Sequence, residues 1–195
     1  MPSTPKILAF AGSARKDSFN KKLIKVAVEY AKKAGAEVTL IDFKDYPMPL
    51  FDQDLEAREG LPEFARKFKE LMVNHDGFLI SSPEYNSSIT PLLKNAIDWA
   101  SRVSQPNEQS LIAYRGKVAA LMSASPGALG GLRSLVTVRS ILGNIGVLVL
   151  PTQQSIPKAH EAFNPDGSLK DKKQEEAIEK LTAELVSVIK KLKAG

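Results

Sequence analysis

The sequence predicts a doubly wound α/β fold, a five-stranded parallel sheet with helices on both faces. Apolar runs that read as buried strands alternate with amphipathic stretches of helical period along the whole chain. The composition agrees. With 43% apolar and 25% charged residues, a chain of 195 residues has the makings of a sizeable core and the size of one domain, residues 1–195.

The elements follow in order. Lys6 to Ala11 is the first strand, and a helix from about Asn20 to Ala34 puts Leu23, Ile24, Ala27, Val28 and Ala31 on one face until Gly35 ends it. Val38 to Ile41 is the second strand. After it, Asp45 to Asp52 is too proline-punctuated for regular structure, and a helix resumes near Pro62, its first-turn position. Gly77 to Ser82 is the third strand. The helix from about Pro91 to Ser101 stacks Leu92, Leu93, Ala96, Ile97 and Ala100, with Trp99 at its edge. Lys117 to Ser123 forms the fourth strand and about Gly131 to Leu142 the next helix, while Val147 to Leu150 is the fifth strand, closed by Pro151. A polar loop with the turn Asn164-Pro165-Asp166-Gly167 leads into a closing helix marked by Ala177, Ile178, Leu181, Leu185, Val188, Ile189 and Leu192.

Composition also excludes chemistries. Without cysteine there is no disulfide framework, thiolate nucleophile, iron–sulfur cluster or thiol couple, so redox chemistry here needs a cofactor. His75 and His160 lie far apart, so no metal is assigned. Neither a Ser-His-Asp order nor a G-x-S-x-G elbow occurs, which leaves hydrolysis without a nucleophile. Lysines of the last helix interleave with acidic residues and read as a solvated face rather than a nucleic-acid surface. The net charge of +5 still suits anionic nucleotides. Met1-Pro2-Ser3-Thr4-Pro5-Lys6 carries no leader pattern and no window approaches a membrane span, which predicts a cytoplasmic protein with no membrane partner.

In a parallel sheet, ligands bind outside the carboxyl ends of the strands, so the loops after strands one, three and four carry the information. The first, Gly12 to Asn20, places Ser13, Arg15, Ser18 and Asn20 just before a helix whose leading N–H groups lack partners, which suits one phosphate. It is neither a lysine-containing P-loop nor a G-x-G-x-x-G fingerprint. After strand three, Ser81 to Thr90 offers a restricted backbone at Pro83, polar groups for a flat heterocycle and the ring of Tyr85. After strand four, the glycines of Ser123 to Gly131 let backbone approach a ligand, and the helix N-terminus beyond them suits developing negative charge.

These residues resemble the NADPH-dependent FMN reductase family, which includes quinone, chromate and azo-dye reductases. The stretch G-S-A-R-K-D-S-F-N resembles its phosphate loop, P-E-Y-N-S-S with L-K-N-A-I-D-W its flavin-ring segment, and S-A-S-P-G-A-L-G-G-L-R its third loop, Pro126 being a departure. The resemblance spans nearly the whole chain. It implies a flavodoxin-like fold, tightly bound FMN, NADPH or NADH as donor, hydride transfer to a small-molecule acceptor such as a quinone, and a homodimer or homotetramer. It further implies that Ser13, Arg15, Ser18, Phe19 and Asn20 hold the FMN phosphate and ribityl chain. Pro83, Glu84, Tyr85 and Asn86 would line the isoalloxazine, and Ala124, Ser125 and Gly127 would approach its edge through backbone. Glu84 and Asn86 are alternatively candidates for an oligomer contact. No catalytic side chain is assigned, because the cofactor carries the chemistry. The alternative function is a flavodoxin-type electron carrier without its own NAD(P)H oxidation, a class that looks acidic where this chain is basic. A nucleotide-sensing domain is a third class.

Overall fold

A computed structural model describes residues 3–194; Met1 and Pro2 of the N-terminal stretch read above, and Gly195, lie outside it. The elements run β1 (Lys6–Ala11), α1 (Phe19–Lys33), β2 (Glu37–Ile41), a 3-10 turn (Phe43–Asp45), α2 (Gln53–Glu59), α3 (Glu63–Val73), β3 (Gly77–Ser81), α4 (Pro91–Ala100), β4 (Val118–Ala124), α5 (Leu132–Asn144), β5 (Leu148–Ile156) and α6 (Lys172–Ala194). The strands form one parallel sheet in the order β2-β1-β3-β4-β5. The chain therefore builds outward from β1 to β2 and then crosses to β3 on the other side. That reversal places the loops after β1 and β3 side by side at the carboxyl edge.

Strands β1, β3 and β4 are internal and nearly all buried, which is why they read as unbroken apolar runs. Their pleat divides the core. Ile7, Ala9, Leu79, Val118, Ala120 and Met122 pack with residues of α1 and α6, whereas Leu8, Phe10, Phe78, Ile80 and Leu121 pack with residues of α3, α4 and α5. On the second face Phe10, Phe43 and Phe68 meet edge to face, with centroids 5.1 to 5.6 Å apart. Each such side chain contributes roughly 1.5–3 kcal/mol by leaving water.

Three expectations need correction. Strand β5 does not stop before Pro151 but runs on to Ile156. The ladder with β4 shifts register between Ala119 and Leu121, opposite the proline, and β5 is an edge strand, so no ladder hydrogen bond is lost there. Trp99 is fully buried rather than at a helix edge, with its Nε1–H donating to the Pro49 carbonyl at 2.8 Å and its ring against Phe51. Helix α2 was not expected. It buries none of its residues and so has no apolar period; Asp52 caps it by accepting from Asp54 N and Leu55 N, and Arg102 grips its Glu56. The expected boundaries elsewhere hold within one or two residues, although Pro62 is the N-cap of α3 rather than inside its first turn.

Candidate functional site

Three loops meet at the carboxyl edge and are tied together by buried hydrogen bonds. The Gly12 amide donates to the Ser81 carbonyl at 2.9 Å, and Thr90 Oγ1 donates to the Gly12 carbonyl at 2.7 Å while accepting from Leu93 N. Asn20 joins the first loop to the other two. Its Oδ1 accepts from Ala124 N at 3.0 Å and from Ser81 Oγ at 2.9 Å, and its Nδ2 donates to the Ala124 carbonyl at 2.8 Å. The Ser82 carbonyl, in turn, accepts from both Ser123 Oγ and Ser134 Oγ. The third loop is held from the far side by the tail of β5: Ser125 N donates to Ile156 O, Ala159 N to Ser125 O and Lys158 N to Gly127 O.

Three helices start at this edge, and only one is left open. On α4, Thr90 caps the first turn. On α5, the Glu84 carboxylate accepts from Arg133 N at 3.0 Å and lies 3.6 Å from the Arg133 guanidinium. The N-cap of α1 is Ser18, whose side chain makes no capping bond. The partial positive charge of α1 is therefore free to face a ligand anion. Around it stand Ser13, whose Oγ accepts from Arg15 N at 3.3 Å, the exposed Arg15 with its guanidinium 5.7 Å from the Phe19 ring centre, and Phe19 lying parallel to Phe163.

Some of the expected contacts are reassigned by this geometry. Asn20 was expected to donate to a phosphate, yet most of its amide is committed to Ala124 and Ser81, because it is buried where two strands end. Ala124 and Ser125 were expected to offer backbone to the flavin edge. Their N–H groups donate instead to Asn20 and Ile156, and the open amides of that loop belong to Ala128 and Leu129, which have no protein partner among the described residues. The N-terminus of α5, expected to face developing charge, already faces Glu84. The glycines divide as well. A Cβ on Gly131, at φ +89°, would meet Ser123 Oγ at 1.9 Å, so this residue is required by packing, while Gly127 faces open space.

Pro83 is buried, Glu84 is turned toward α5, and Tyr85 is 54% exposed. Tyr85 and Ser88 pair through both backbone bonds around Asn86 and Ser87, each with positive φ, which is a type I′ turn with the asparagine in a favoured place. Arg133 Nη1 donates to Ser87 Oγ and steadies that turn. A cavity of about 250 Å³ opens between Glu84, Ser125, Gly127, Ala128 and Arg133. Sequence reasoning missed Thr90, Ser81, Ser123, Ser134 and the segment after β5. Thr90-Pro91 carried a usable signal, a capping residue followed by proline at the first helical position.

The profile of the NADPH-dependent FMN reductase family matches residues 5–161. The chain belongs to that family. An NAD(P)H:quinone oxidoreductase of Solanum tuberosum is 36% identical over 197 residues, covering 96% of this chain and 94% of its own. An NAD(P)H-dependent FMN reductase of Pseudomonas aeruginosa is 34% identical, covering 96% and 97%. Among solved structures, the flavoenzyme NAD(P)H:(acceptor) oxidoreductase FerB of Paracoccus denitrificans superposes with a TM-score of 0.81 at 32% identity, covering 96% and 98%. The fold of this family member is flavodoxin-like.

The residues present fit the family's flavin. An uncapped helix end beside Arg15, Ser13 and Ser18 accommodates one phosphate, and the open face of Gly127 with the unpartnered amides of Ala128 and Leu129 accommodates a heterocycle edge. Among the described residues no three His, Cys, Asp or Glu side chains gather as a metal set, and no helix is long and apolar enough to cross a membrane.

Proposed function

We propose that this protein is an NAD(P)H-dependent FMN oxidoreductase that reduces quinones or similar small acceptors. The observation that carries it is the accounting of helix ends at the carboxyl edge: α4 and α5 are satisfied by Thr90 and Glu84, and α1 alone is open beside an arginine. Family membership says which anion belongs there. FMN, when bound, supplies the capacity to take a hydride from a reduced nicotinamide and pass two electrons to an acceptor.

The protein's own residues bind and orient. Arg15, Ser13, Ser18 and the leading amides of α1 hold the phosphate, with Phe19 against the chain beyond it. Buried Pro83, the Glu84 to Asn86 turn and the amides of Ala128 and Leu129 line the ring, and Asn20 and Thr90 keep the loops in register. No side chain acts as acid or base in this reading. Subunit association, as a homodimer or homotetramer, belongs to the reading and draws support from exposed Leu129, Leu132 and Val136 at the start of α5. So does a cytoplasmic location.

One cleft at one sheet edge means that donor and acceptor take turns. Steady-state rates at several quinone concentrations are expected to give parallel double-reciprocal lines. Intersecting lines would contradict the single-cleft reading.

A further inference from the structure

A second cleft, of about 460 Å³, lies on the other side of the phosphate loop, between α1 and the carboxyl ends of β1 and β2. Its size falls in the range of roughly 300–1,000 Å³ usual for small-molecule sites. The floor is apolar: Ala11, Ile24, Ile41 and Leu40, the last 41% exposed although it belongs to a strand. The rim is charged, with Lys16, Lys21, Lys22 and Lys25 against Asp17, Asp42 and Asp45.

The charges are not equivalent. Lys21 Nζ bonds Asp42 Oδ2 at 2.6 Å and the Ala14 carbonyl at 3.1 Å, while Asp42 Oδ1 accepts from Lys44 N at 3.0 Å. Both oxygens of Asp42 are thus occupied. Burial alone would push the Asp42 carboxyl up, but the bonds from Lys21 and Lys44 and their charges hold it below the ordinary aspartate range. Lys16, Lys22 and Lys25 make no ion pair among the described residues.

In dinucleotide-binding doubly wound sheets, a free carboxylate after the second strand accepts a ribose 2′-hydroxyl, and a basic residue there takes a 2′-phosphate instead. Here the carboxylate is neutralised and three lysines stand free over an apolar floor. We propose that this cleft receives the 2′-phosphoadenosine end of NADPH, with Lys16, Lys22 and Lys25 as partners of the 2′-phosphate and the source of a preference for NADPH over NADH. The inference rests on the oxidoreductase reading, since the nicotinamide end must reach the flavin across the shared wall formed by Asp17 and Ser18.

The test uses the FMN-loaded protein titrated with adenosine 2′,5′-bisphosphate and with adenosine 5′-monophosphate. The bisphosphate is expected to bind about tenfold tighter, equivalent to ~1.4 kcal/mol, and added salt should narrow that margin because the lysines are exposed. In the double variant Lys22→Gln, Lys25→Gln the margin is expected to fall below about threefold, and the ratio of kcat/KM for NADPH to that for NADH should fall in parallel. Equal binding of the two nucleotides by the unaltered protein, or a margin unchanged in the variant, would overturn the proposal. The titration needs no turnover. If neither coenzyme reduced the flavin, the oxidoreductase reading would fall while the titration still decided the cleft.

Discussion

Replacing Asn20 by alanine removes the group that fastens the phosphate loop to the ends of β3 and β4. The substitution strands Ala124 N–H, the Ala124 carbonyl and Ser81 Oγ–H, which now bond Asn20 at 3.0, 2.8 and 2.9 Å. Asn20, Ser81 and Ala124 are all less than 5% exposed, so water does not readily replace the amide. An unsatisfied buried polar group costs about 1–3 kcal/mol, and three of them, partly relieved by relaxation, come to about 3–6 kcal/mol. In a chain of this size that lowers Tm by roughly 6–24 °C, against a total stability of about 5–15 kcal/mol. Thermal unfolding followed by circular dichroism, with FMN and with riboflavin, measures it. Both flavins should bind more weakly in the variant, because the loops themselves lose register. A Tm within about 2 °C of the parent, a change worth less than 1 kcal/mol, would refute the reasoning.

Arg15→Ala should differ in kind: FMN affinity falls by about 1–3 kcal/mol, riboflavin affinity and Tm hardly change, and equal weakening of both flavins in a titration would remove Arg15 from the phosphate site. Acid unfolding should reveal the buried pair of Lys69 and Glu108, which pins the segment after α4 onto α3. Burial pushes the Glu108 carboxyl up, but hydrogen bonds from Lys69 and Ser104 and the lysine charge outweigh it and leave the carboxyl below the ordinary range. A lowered folded value means that the pair's contribution is full above the unfolded value of about 4.3 and is lost as pH falls from there through the folded value. Lys69→Met should cost about 3–5 kcal/mol at neutral pH and flatten that acid limb, and an unchanged limb in urea titrations would contradict the assignment.

Much of the fold was legible because internal parallel strands and amphipathic helices write strong patterns: β1, β3, β4, α1 and α4 emerge at nearly their observed bounds. Helix α2 buries nothing and so left no period to find, although Asp52 before it and Gly60 after it marked its ends. Pro151 misled because a proline usually closes a strand, and no local rule reveals that this one sits on an edge opposite a register shift. At the site, the residue types were legible and their duties were not. Asn20, Glu84 and Ala124 are all at the sheet edge, but whether an amide, a carboxylate or an N–H faces a ligand depends on partners 104, 49 and 104 residues away. Sequence patterns carry no such information without the fold.

The central claim is that the open end of α1 holds the phosphate of FMN in an enzyme that oxidises NAD(P)H. The most direct measurement is chromatography of the flavin released on denaturing the purified, FMN-reconstituted protein, joined to its visible spectrum under anaerobic NAD(P)H. FMN should be released in near-equal amount to protein, and its absorption should bleach with no acceptor present and return on adding a quinone. Release of FAD, failure to retain any flavin, or a spectrum indifferent to both NADPH and NADH would contradict the account.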